Sequence, residues 1–150
     1  LIPYTNTFNA NLTLIDDDEF WLNLIAGEHN NVKAIHANLA PCTVGNKSID
    51  WYSCAQPETP VNFLLVDGPM AYSRSIRYNR YGILNWIPDI LDNEFIIIID
   101  DTNRVGEYEL VRSIIEKLNQ RGVEVGMREI IGGNAQTILA TDKYNKYLYL

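Results

Sequence analysis

Cysteines and long apolar runs are scarce in this sequence, and their scarcity excludes several protein classes. The 150 residues include only two cysteines, Cys42 and Cys54, and their spacing matches no metal-ligand pattern. We expect both to be reduced thiols in a cytoplasmic protein, because intracellular chains rarely keep a disulfide. The longest apolar run, from Phe95 to Ile99, has the length of a strand, whereas a membrane-spanning helix needs about 18 residues. The first residues lack the charged and apolar regions of a signal peptide.

Basic residues are also few and scattered. The chain carries 12 Lys and Arg against 19 Asp and Glu, a formal charge of −7. Nucleic-acid binding needs a basic patch, and anionic lipid does not attract an acidic surface, so we expect neither partner. Hydrophobic residues make up 47% and charged residues 21%, as in ordinary folded domains. The length predicts one domain over residues 1–150, with an irregular segment over 1–10.

Short apolar runs alternate with helical patterns along the chain. Strands that alternate with helices predict crossover connections, and hence an α/β fold with one mostly parallel sheet covered by helices on both faces. Residues 38–60 are expected to form a long connection that leaves room for a small hairpin. The spacing of apolar residues predicts helices over 21–25, 83–91 and 106–121 and strands over 11–15, 32–36, 61–66, 95–99 and 136–140, with a further strand near Val123.

Acidic residues follow three of the predicted strands, at Asp16, at Asp67 and at Asp100 with Asp101. Ligands of such sheets bind beyond the carboxyl ends of the strands, so we expect these carboxylates to face one pocket. Because adjacent strands lie about 4.8 Å apart, Asp67, Asp100 and Asp101 could converge on one Mg²⁺ ion. The competing interpretation is that residues 100–103 form a turn and a helix cap.

The order of these segments resembles class I S-adenosylmethionine-dependent methyltransferases over about residues 11–142. Residues 12–18 are similar to the family's second strand and its acidic end, 62–69 to its fourth strand, 78–91 to the following helix and 94–104 to its fifth strand. The resemblance implies a Rossmann-like sheet whose N-terminal part is incomplete, because residues 1–10 contain no glycine-rich turn. The gap in the sheet would then be filled by a further N-terminal segment, by residues 1–10 or by a partner chain. Otherwise the sheet would have a different arrangement of strands.

The resemblance also implies roles for individual residues. Asp67 and Asp101 would be catalytic, and Asp67, Asp100 and Asp101 would be the metal ligands. At Asp16 the implied role is to accept hydrogen bonds from the ribose hydroxyls of the cofactor, and helix capping is the competing role. At His36 the alternatives are contact with adenine and a structural role. The implied cofactor-binding residues are Asp16, Asp17, His36, Asp67, Gly68 and Pro69.

The function implied by the resemblance is methyl transfer from S-adenosylmethionine to an oxygen or nitrogen of a small-molecule or sugar-like acceptor, with Mg²⁺ as a candidate second cofactor. The alternative is a truncated or degenerate domain that binds or assembles without catalysis. That alternative predicts a homodimer or an additional N-terminal segment that completes the sheet. A different nucleotide-binding enzyme is disfavoured, because the sequence contains neither Gly-x-Gly-x-x-Gly nor a Walker motif.

Overall fold

The computed structural model describes residues 11–26, 32–57 and 60–149, and their strands form three sheets. The irregular segment expected over 1–10 and the helix end expected at Gly27 lie outside these residues. The strands are β1 (Leu12–Asp16), β2 (Val32–His36), β3 (Leu39–Val44), β4 (Lys47–Tyr52), β5 (Val61–Val66), β6 (Leu91–Ile99), β7 (Gly126–Ile131) and β8 (Ala135–Ala140).

The largest sheet has four strands in the order β5-β6-β8-β7. β5 and β6 are parallel, whereas β8 is antiparallel to both β6 and β7. β1 and β2 form a separate parallel pair, and β3 and β4 form an antiparallel hairpin. The hairpin lies within the connection of residues 38–60, where the sequence left room for one.

The helices are α1 (Glu19–Ala26), α2 (Val105–Gln120) and α3 (Asp142–Asn145), with 3-10 turns over Asn79–Asn85 and Lys146–Tyr149. The predictions of α1 and α2 are confirmed. α2 ends where expected, because Gly122 adopts the left-handed conformation with φ +74° that favours glycine at a helix end. None of the helices in the described ranges has the length and apolar character needed to cross a membrane.

The helix expected over 83–91 is wrong. Only residues 83–85 of this range belong to the 3-10 turn, and Leu91 already starts β6. Pro88 lacks the backbone N–H that an α-helix needs in its interior, so the apolar residues around it pack without forming continuous helical turns. The strand expected near Val123 begins instead at Gly126.

The core combines residues of the four-stranded sheet and α2 with residues of the β3–β4 hairpin and the 3-10 turn. Burial alternates along β6, where Phe95, Ile97 and Ile99 are buried while Ile96 and Ile98 are only partly buried. α2 contributes a stripe at helical spacing. Its fully buried members are Leu110, Ile114 and Leu118.

The predicted fold class, one mostly parallel Rossmann-like sheet, is wrong. In the described part of the chain, parallel pairing is confined to β1 with β2 and β5 with β6. β3 and β4 are joined by two residues and β7 and β8 by three. A parallel connection needs about a dozen residues or more, so these strands can pair only as antiparallel hairpins.

Candidate functional site

The turns that follow β5 and β6 bring three carboxylates together. The Asp100 N–H donates to the Val66 carbonyl at 3.1 Å, which aligns the two strand ends. Carboxylate oxygens of Asp67, Asp100 and Asp101 all lie within 4.8 Å of one another. The structure therefore groups the three residues that the sequence analysis grouped, and their role as metal ligands stays a prediction.

Asp67 and Asp100 form the outer part of this group. Burial raises the pKa of Asp67 above its usual range, the positive charge of Arg80 opposes the shift, and the negative charge of Asp100 raises the pKa further. The Asp67 side chain is still 60% exposed. Gln136, from β8, donates its side-chain amide to Asp100 Oδ1 at 3.0 Å.

Asp101 lies beneath them and is buried. Its Oδ2 atom lies 3.2 Å from Arg80 Nη2 and 2.9 Å from Arg104 Nη1. Its φ of 60° is left-handed, a conformation that aspartate tolerates better than most residues. One carboxylate oxygen is therefore held between two guanidinium groups, while the predicted roles of Asp101 as a catalytic residue and metal ligand remain untested.

Glu107, in the first turn of α2, is the deepest acidic group near the site. Its side chain is fully buried and neither carboxylate oxygen makes a well-formed hydrogen bond. Its Oε1 atom lies 3.6 Å from Arg80 Nη1. Burial raises the pKa of Glu107, and the positive charges of Arg80 and Arg104 oppose that rise.

A second acidic group follows β1. Asp18 caps α1, because its Oδ1 atom accepts the Phe20 N–H at 2.9 Å. Asp16 Oδ1 accepts the Asp18 N–H at 2.9 Å, and His36 Nε2 lies 3.2 Å from the Asp17 carbonyl oxygen. Asp16 thus shapes the turn before the helix, and its proposed contact with ribose remains a prediction.

Tyr52, at the end of β4, connects the two acidic groups. A β-carbon added at Gly68 would lie 2.4 Å from the Tyr52 hydroxyl oxygen. Burial raises the pKa of this hydroxyl far above its usual range, and the negative charges of Asp16 and Asp67 raise it further. The hydroxyl is therefore protonated at neutral pH and lies within the electric field of both strand ends.

The predicted site residues accordingly fall into two groups. Asp67, Gly68, Pro69, Asp100 and Asp101 surround the ends of β5 and β6, where the Pro69 carbonyl accepts from Arg80 Nε at 3.3 Å. The second group belongs to the β1–β2 sheet. Its members are Asp16, Asp17 and His36.

Sequence reasoning missed Tyr52, Arg80, Glu107 and Gln136. Tyr52 was placed in the connection of residues 38–60, and Arg80 in the helix that the resemblance implied over 78–91. A signal existed only for Glu107, which precedes Leu110 by three residues and therefore lies on the buried stripe of α2. Tyr52, Arg80 and Gln136 reach the site through contacts between segments that are distant in sequence, which local patterns do not encode.

A groove of about 680 Å³ lies elsewhere, between the tip of the β3–β4 hairpin and α2. Its lining includes Lys47, which lies 3.1 Å from Glu109 Oε2 and 3.7 Å from the centre of the Tyr78 ring. None of the strand-end carboxylates lines it. The groove mixes both signs of charge and indicates no particular ligand.

Comparison of the chain with protein-family models, with curated proteins and with solved structures finds no match. The predicted membership of the class I methyltransferases is therefore wrong. No family model supports it, and three small sheets replace the parallel sheet that it implied. The chemistry of the strand-end residues remains as the guide to function.

Proposed function

We propose that this chain binds S-adenosylmethionine at the strand ends and transfers its methyl group to an oxygen or nitrogen of a small-molecule or sugar-like acceptor. The observation that carries the proposal is the pair of neighbouring carboxylates, Asp67 and Asp100, at the ends of two parallel strands. Asp16, whose negative charge acts on the same Tyr52 hydroxyl as that of Asp67, adds to this acidic group.

The charge balance at the strand ends suits a cationic ligand. Three carboxylates, Asp67, Asp100 and Asp101, lie within 4.8 Å of one another. Arg80 and Arg104 both contact the innermost carboxylate, Asp101, and Arg80 Nη2 also lies 3.4 Å from Asp67 Oδ1. Three carboxylates against two guanidinium groups leave a net negative charge at the strand ends, and a positive sulfonium is attracted to it.

The proposed roles follow from the chemistry of each group. Asp16 accepts hydrogen bonds from the ribose hydroxyls, with Asp17 and His36 beside it, while Gly68 and Pro69 line the reacting region. When bound, S-adenosylmethionine supplies an activated methyl group, which bonds to the acceptor lone pair as the carbon–sulfur bond breaks and its electron pair stays on sulfur.

The acceptor proton must also be removed. Asp67 is suited to accept it, because a carboxylate with a raised pKa binds a proton more readily near neutral pH. Asp101 supports this step as the counter-charge of Arg80. A nucleophilic side chain is not needed, because aligning the reacting groups supplies most of the acceleration.

Magnesium is the candidate second cofactor at the same carboxylates. Asp67 and Asp100 offer hard oxygen ligands at a suitable separation, and Mg²⁺ typically keeps several water ligands beside one or two carboxylates. Asp101 fits less well, since two guanidinium groups share one of its oxygens. A bound ion would lower the pKa of an acceptor hydroxyl.

Calorimetric titration of the intact chain with S-adenosylhomocysteine tests the proposal. We expect binding by the unmodified chain and loss of binding in Asp67→Asn and Asp16→Asn. Asp92→Asn removes an exposed carboxylate near the opposite end of β6 and should bind normally. Absence of heat at millimolar ligand would overturn the proposal, and a separate magnesium chloride titration tests the second cofactor.

A non-catalytic role in binding or assembly is the second candidate. Among the described strands, β5 pairs only with β6 and β1 only with β2, so each retains an edge for a homodimer partner or another segment. α1 also exposes Phe20 and Leu24 at 69% and 60%. Light scattering tests this candidate, and a clean monomer at high concentration would contradict it.

A cytoplasmic location and a small-molecule acceptor complete the proposal. Both cysteines, Cys42 and Cys54, are free thiols, which is the usual state in a reducing compartment. The formal charge of −7 supports neither a nucleic-acid nor a membrane partner.

A further inference from the structure

Arg80 lies directly beneath the strand-end site. It belongs to the 3-10 turn Asn79–Asn85, and its side chain is only 6% exposed. An arginine is rarely buried to this extent unless its charge and its five N–H donors find partners. Its contacts therefore indicate what the residue does.

Three of those contacts are hydrogen bonds to main-chain carbonyl groups of the turns after β5 and β6. Nη2 donates to the Asp67 carbonyl at 2.5 Å and Nε donates to the Pro69 carbonyl at 3.3 Å. Nη1 donates to the Asp100 carbonyl at 3.1 Å. A single planar guanidinium group thus ties together the backbones of both strand ends.

The remaining contacts neutralise the buried charge. Arg80 Nη2 lies 3.2 Å from Asp101 Oδ2 and 3.4 Å from Asp67 Oδ1. Arg80 Nη1 lies 3.6 Å from Glu107 Oε1, on the side of α2. Acidic groups from both turns and from the helix therefore keep the guanidinium in place.

We infer that Arg80 is the positioning residue of the strand-end site, holding the two turns so that the carboxylates of Asp67 and Asp100 meet the same ligand. The inference deepens the proposed function and rests on it for the identity of the ligand. Because Arg80 draws the carbonyl groups of both residues inward, their carboxylates are kept together on the outer side.

Lysine cannot replace arginine in this arrangement. The three carbonyl contacts use Nε, Nη1 and Nη2 of one rigid plane, whereas lysine presents a single nitrogen on a flexible stem. Arg80→Lys therefore keeps the positive charge but loses the set of hydrogen bonds that joins the two turns. Arg104→Lys is the matched control, because Arg104 is 37% exposed and its ion pair is with Asp101.

Amide hydrogen exchange and ligand titration of these variants test the inference. In Arg80→Lys we expect faster exchange of the Asp100 amide, which bonds to Val66, with little change at Ile114 in the core of α2. Affinity for S-adenosylhomocysteine should fall by about 10- to 100-fold, as when supporting residues behind ligand-binding groups are lost. Arg104→Lys should change both readouts much less.

The outcomes separate this inference from the proposed function. Unchanged exchange at Asp100 in folded Arg80→Lys overturns the positioning role, whether or not any ligand binds. Local exchange that accelerates without loss of affinity also overturns it. If the unmodified chain fails to bind, the proposed function fails while the exchange comparison still decides how Arg80 acts on the turns. Should Arg80→Lys fail to fold, the Arg80→Gln/Glu107→Gln variant, which replaces both partners of the Arg80–Glu107 contact, serves for the same measurements.

Discussion

The hydroxyl group of Tyr52 lies against Gly68, so closely that a β-carbon at position 68 would be 2.4 Å from the hydroxyl oxygen. Tyr52 comes from the β3–β4 hairpin, while Gly68 belongs to the turn after β5. This contact joins two different sheets at the strand-end site. Glycine is needed here because the tyrosine occupies the space of any larger side chain.

Gly68→Ala is expected to destabilise the chain by about 1–3 kcal/mol, the usual cost of overpacking. Tyr52→Phe removes the obstructing oxygen, and the next tyrosine atom would lie 3.7 Å from the new β-carbon, an ordinary contact. The double variant should therefore be more stable than the sum of the single changes predicts. Urea unfolding of all four proteins measures this coupling, and strict additivity would show that the contact is absent.

Gly106→Ala is expected to be destabilising even though alanine favours helices. A β-carbon at Gly106, at the start of α2, would lie 1.8 Å from the Arg77 carbonyl oxygen. A main-chain atom cannot move aside as a side-chain tip can, so the cost of about 1–3 kcal/mol should exceed the gain of about 1 kcal/mol in helix propensity.

Gly133→Ala is the matched control for this change. No atom lies within 4 Å of a β-carbon at Gly133, so its free energy of unfolding should change little. Thermal or urea unfolding provides the comparison. A Gly106→Ala protein as stable as the unmodified chain would contradict the close approach of α2 to Arg77.

Glu107 should give stability a distinctive dependence on pH. Burial raises its pKa above the ordinary 4.5, so the folded chain holds this proton more tightly than the unfolded chain. The resulting stability is complete below about pH 4.5 and is lost as pH rises through the folded pKa. Between about pH 4 and pH 8, the unmodified chain should lose more stability than Glu107→Gln.

Urea unfolding at a series of pH values measures the difference between these two proteins. Glu116→Gln, on the exposed face of the same helix, controls for the removal of one charge from α2. It should follow the pH dependence of the unmodified chain. Parallel curves for the unmodified chain and Glu107→Gln would mean that Glu107 has no raised pKa in the folded state.

Local patterns predicted the elements that carry the candidate site. The apolar run over 61–66 and the helical stripe ending before Gly122 both fold as expected, because burial and helix termination are properties of neighbouring residues. The same patterns failed around Pro88, where apolar residues pack without an α-helix. They also could not specify that Arg80 bridges two turns, since its carbonyl partners are 11 to 20 residues away in sequence.

By itself, the sequence determined where β5 runs, where β6 ends and that each is followed by aspartate. A short apolar run is a property of a few neighbouring residues and needs no distant partner. Only the tertiary structure decided that β8 runs antiparallel beside β6, that Tyr52 reaches Gly68 and that Arg80 lies beneath both strand ends. These contacts form because segments distant in sequence bury their apolar surfaces and satisfy their hydrogen bonds against one another. No local sequence pattern specifies which segments do so.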